Sequence, residues 1–162
     1  MDRSACRRVV EESIRPLLWL FQVQDWTVNV SYGHIDVAGD ASRLAEIVPE
    51  PAYRRADMTI DPEMHEGIED VRETLLHELS HVKHASFETY RKQVGELVHD
   101  QAFNALDVAW RHGCERTACG IVDMLKHGLG MNAKELVEHG RRIREAASAK
   151  PNPKKKRKEK KK

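Results

Sequence analysis

Apolar residues at Val9, Val10, Ile14, Leu17, Leu18 and Phe21 recur every three or four positions, which predicts a surface helix over Ser4 to Phe21 that Pro16 kinks or ends early. The pattern then changes to strict alternation. Trp26 to Tyr32 is rich in aromatic and β-branched residues and predicts a strand with Trp26, Val28, Val30 and Tyr32 on one face. A turn over Gly33 to Asp40 leads to a second strand, Arg43 to Val48, ended by Pro49 and Pro51. Ala56 to Asp61 is a third, closed by Pro62.

From there the period is helical. Acidic residues at Glu66, Glu69 and Asp70 suit the positive end of a helix from Glu69 to about Phe87. A second stripe, through Val94, Leu97, Val98, Ala102, Leu106 and Ala109, predicts a helix from Tyr90 to about Trp110, interrupted at Gly113. Cys114 to Lys126 resumes it and Gly128-Leu129-Gly130 stops it. Asn132 caps a last helix through about Ser148. The order is that of an α+β fold: a small sheet of about three strands packed on one central helix, with further helices following.

At 162 residues the chain suits a single domain, here 1–149. No apolar run approaches the ~18 residues of a membrane span, and the first residues lack the hydrophobic stretch of a secretion signal, which predicts a cytosolic protein without membrane contact. Cys6, Cys114 and Cys119 are odd in number and form no Cys-x-x-Cys pair, so reduced thiols are expected. The net charge of +1 conceals a division: residues 150–162 carry nine Lys or Arg against one Glu, and the remainder carries 18 basic and 25 acidic residues. The Lys-rich tail has no apolar residue to bury and is expected to be disordered. It reads as a solubilising appendage, as a weak, sequence-independent contact for nucleic acid, or as a nuclear import signal, in that order.

The candidate chemistry sits in His77-Glu78-Leu79-Ser80-His81. On a helix, side chains at i and i+4 share a face, so the two imidazoles can grip one ion, while Glu78 is displaced toward water at that ion, where a general base belongs. The flanking Thr74, Leu75, Leu76 and Val82 are uncharged and bury the helix; two solvated histidines on an amphipathic helix are the bland alternative. A catalytic zinc needs a third ligand. His84 lies about 10 Å along the axis from His77, too far to share the ion. Glu115, with an apolar helical face behind it, is preferred, His99 is its rival, and Glu88, Glu96 and Asp100 are explained by solvent exposure.

His77-Glu78-x-x-His81 on a helix after a small sheet, followed by Glu115-Arg116 at the head of another helix, resembles the gluzincin metallopeptidases, in particular their minimal single-domain forms, some of them phage-encoded. The resemblance covers about residues 26–126. It implies Zn²⁺ held by His77, His81 and Glu115, Glu78 as base and then acid, and a protein or peptide substrate lying extended along an edge strand. It fails the longer metzincin pattern, since position 84 is His and position 87 is Phe. The competing expectation is a non-catalytic, zinc-stabilised binding module whose tail contacts nucleic acid. Its site would be closed by a fourth ligand such as His84 or Cys114.

Overall fold

The structure of the protein is a computed structural model that describes residues 1–35, 43–95 and 100–149. The fold is α+β, a three-stranded mixed sheet with four helices, as the alternation of periods predicts. Helix α1 spans Arg3–Leu20, followed by strands β1 (Thr27–Tyr32), β2 (Ala45–Glu50) and β3 (Arg55–Ile60). Helices α2 (Ile68–Gly95), α3 (Asp100–Leu129) and α4 (Ala133–Ala149) complete it. Most of the turn placed at Gly33 to Asp40, the rival ligand His99 and the Lys-rich tail lie outside the described residues. Among the described residues, no helix is long and apolar enough to cross a membrane.

The sheet order is β1-β3-β2, with β3 parallel to β1 and antiparallel to β2. Ala56, Met58 and Ile60 of β3 are fully buried, and their register partners Val28, Val30, Tyr32, Ala45 and Ile47 pack on the same core. The other face is polar: Asn29 donates to Asp57 across 2.7 Å and Ser31 meets Thr59 at 3.0 Å. Period two thus yields a sheet with one apolar and one polar face, the apolar one turned to the core.

β2 runs through Pro49 instead of ending before it. Asp61 N–H donates to Leu44 O, so even-numbered residues 44 to 50 exchange hydrogen bonds with β3 and odd-numbered ones face away. Pro49 therefore lacks an N–H that β3 never needed, which is how proline survives in an edge strand.

The helices build the rest of the core. α1 is capped by Asp2 and buries Cys6, Val9, Val10, Leu17 and Leu18; Pro16 sits within it without ending it. Desolvation pushes the buried Cys6 thiol up from its ordinary pKa, and none of the three cysteines is in a disulfide. α2 is the central element, burying Val71, Leu75, Leu76, Leu79 and Val82. Its continuation to Gly95 corrects the expected end near Phe87, and the helix expected from Tyr90 is divided between α2 and α3.

Gly113 does not break α3, which is continuous from Asp100 to Leu129. An interior glycine costs a helix about 1 kcal/mol against alanine, too little to outweigh the packing of Ala118 and Val122. The true stop is Gly130, at φ 62°, with Gly130 N–H on His127 O and Met131 N–H on Lys126 O at 2.9 Å. Asn132 then caps α4 as expected: Glu135 N–H donates to its side chain at 3.0 Å, and Glu135 Oε2 accepts from Asn132 N–H at 2.8 Å.

Candidate metal centre

α2 and α3 lie antiparallel. Lys126 of α3 reaches Glu73 of α2 at 2.6 Å, Cys119 meets His77, and Glu115 meets both His77 and His81, so each turn forward along α2 is a turn backward along α3. Two i,i+4 pairs thereby face each other across the hairpin: His77 and His81 on one arm, Glu115 and Cys119 on the other.

Three of those four side chains converge. His77 Nε2 and His81 Nε2 are 3.2 Å apart, Glu115 Oε2 lies 3.1 Å from His77 Nε2, and Glu115 Oε1 lies 3.7 Å from His81 Nε2. Nitrogen and oxygen donors about 2.0–2.2 Å from a tetrahedral ion stand roughly 3.3 Å from one another, so the cluster has the spacing of a ligand set. His77, His81 and Glu115 can hold a metal ion. The imidazoles are partly buried, whereas the Glu115 side chain is 60% exposed, leaving that flank open to solvent.

Glu115 therefore joins the two histidines, in a setting different from the one expected. It does not head a helix after a break at Gly113; it projects from the middle of a continuous α3 that returns along α2. His84 is excluded from the cluster: its Nδ1 faces Ser80 O at 3.1 Å. Ser80, fully buried between the histidines, gives its hydroxyl to His77 O at 2.6 Å and is no nucleophile.

Glu78 is turned from the ligand face toward the sheet and is 9% exposed. Its carboxylate accepts the outward N–H of Ile47 on β2. Burial pushes the Glu78 carboxyl up to about 7, and the negative charge of Glu115 pushes the same way. A cation at the cluster would act oppositely, drawing Glu78 toward its charged form. Cys119 was not anticipated. Its sulfur lies 3.8 Å from His77 Nδ1, and its position one turn beyond Glu115 is the sequence signal that could have located it.

Comparison with protein-family models, with curated proteins and with solved structures gives no match.

Proposed function

We propose that the protein is a zinc-dependent endopeptidase, with His77, His81 and Glu115 as metal ligands and Glu78 as general base. The observation that carries this reading is the convergence of three donor atoms within 4.8 Å of one another, with a buried, non-ligating carboxyl on the same helix beside a sheet edge. Two imidazoles and a carboxylate also suit Fe²⁺, but Glu78 gives hydrolysis a proton carrier that iron oxidation chemistry does not call for. Among the described residues the cluster has three members, which favours an open site over one closed by four side chains.

A divalent cation held by this triad supplies Lewis acidity, acidifying water and polarising a carbonyl. The chain's own residues do the rest. Glu78 takes a proton from water and returns it to the departing amine, with its resting position fixed by Ile47 N–H. The carbonyl of Ile47 and both backbone groups of Ala45 face away from β3, so an extended peptide can pair along β2 next to Glu78. Val48 of β2 and the Glu115 side chain are both exposed.

The test is metal analysis of the purified protein together with cleavage of an unfolded protein substrate. Zinc near one equivalent and chelator-sensitive cleavage are expected, with Glu78→Gln retaining the metal and losing at least about 100-fold in turnover. Unchanged turnover in Glu78→Gln would remove the base, and a protein that takes up no zinc would remove the site.

A further inference from the structure

An imidazole can present Nε2 to an ion only if its proton resides on Nδ1, and an unsupported ring samples both tautomers and rotates about χ2. Metal-ligating histidines therefore commonly give their second ring N–H to an acceptor that fixes both. In His77, Nε2 faces Glu115 and His81 while Nδ1 faces Cys119 Sγ at 3.8 Å, within reach of a hydrogen bond to sulfur. The two ring nitrogens point in divergent directions, so this sulfur cannot join the ion held at Nε2 while the ring keeps its orientation. Its place opposite the cluster is that of a support.

We propose that Cys119 is the positioning residue of the metal centre: its sulfur accepts the Nδ1–H of His77 and holds that ring with Nε2 turned toward Glu115 and His81. The inference rests on His77 being a metal ligand, as proposed above. It assigns the exposed thiol of α3 a task that neither core packing nor a disulfide gives it, since Cys119 is free and lies on the surface. Glu115 and Cys119 then act as one unit, the first holding the ion and the second holding the ring that holds the ion, both presented by one turn of α3.

The experiment measures zinc affinity of the full chain by competition with a chromophoric chelator for the wild type, Cys119→Ala and Cys119→Asp, with absorption spectra of the Co²⁺-loaded proteins. Cys119→Ala is expected to bind about 10-fold or more weakly. Cys119→Asp, which restores an acceptor to Nδ1, is expected to recover the lost affinity. The wild-type cobalt spectrum is expected to lack a thiolate-to-metal charge-transfer band. Circular dichroism and melting of the metal-free variants check that the fold is intact. Equal affinity in Cys119→Ala, a failure of Cys119→Asp to restore binding, or a thiolate charge-transfer band each overturns the assignment. Those outcomes leave the ligand triad standing, whereas a wild type that binds no metal brings down both.

Discussion

Gly140 of α4 crosses Pro16 of α1 so closely that a Cβ at position 140 would lie 2.1 Å from the Pro16 carbonyl oxygen. The obstacle is backbone, which cannot swing aside as a side-chain tip can. Gly140→Ala is expected to lower stability by about 1–3 kcal/mol through this overpacking, despite alanine's better helix propensity. Gly120, with nothing within 4 Å of its would-be Cβ, is the control: Gly120→Ala should be neutral or stabilising by up to about 1 kcal/mol. Urea denaturation of both variants checks the pair, and a Gly140→Ala protein as stable as the wild type would contradict the close crossing.

Glu115 is expected to matter for metal and little for folding. Its side chain is mostly exposed, so Glu115→Ala should keep the stability of the chelator-treated protein within about 0.5 kcal/mol of wild type, with a melting temperature close to it. The same substitution should abolish the zinc-dependent rise in melting temperature, which grows with ligand concentration over the dissociation constant. A thermal-shift titration with zinc reads both.

The metal-free protein should become less stable as pH rises toward neutrality. The folded Glu78 carboxyl lies at about 7 against 4.5 for a glutamate in water, so between those values the unfolded chain releases its proton first. The stabilising contribution is complete below about 4.5 and lost as pH rises through about 7, by roughly 3 kcal/mol at most. Glu78→Gln should flatten that slope and leave the metal-free protein more stable at neutral pH. Urea midpoints across this range, with chelator present, provide the measurement.

A second buried polar network acts in another pH window. His65, 2% exposed, donates from Nδ1 to Asp61 O at 2.8 Å, so its Nε2, when neutral, accepts the Thr74 hydroxyl at 3.1 Å. Thr74→Val would orphan that nitrogen and should cost about 1–3 kcal/mol in a urea titration. Burial alone would push the Asp61 carboxyl up, but the His34 ring and Glu63 N–H outweigh it and hold Asp61 below the usual carboxylate range. Its contribution is present above about pH 4 and lost as pH falls through the lowered folded value, opposite in sign to that of Glu78.

The elements that alternate or repeat strictly were legible in sequence. β1, β3 and α1 came from periodicity, and the cap at Asn132 from side-chain chemistry that acts within four residues. Pro49 and Gly113 were misread because each was judged by local propensity alone. Pro49 is tolerated because its missing N–H faces away from β3, and Gly113 because the α2–α3 interface holds the helix through it. Neither fact is local.

Of the site, the His77 and His81 pair was readable because one helical turn sets its geometry. Glu115 was preferred to other acids and to its rival His99 for the apolar helical face behind it, whereas what brings it to the histidines is the register of α3 against α2, which no local pattern encodes. Cys119 escaped notice because its meaning depends on that same register. A lone thiol has no periodic signature until the facing helix is known.

The proline within β2 also bears on what this molecule avoids. An open strand edge can template pairing with another copy of itself, and a continuous ladder needs donors at every second residue. Pro49 removes one such donor from the outward row while Ile47 spends its own on Glu78, so the β2 edge offers too few for a sheet to grow from it. A brief, short-range contact with a passing chain is still accommodated there, and fibrous growth from that edge is discouraged.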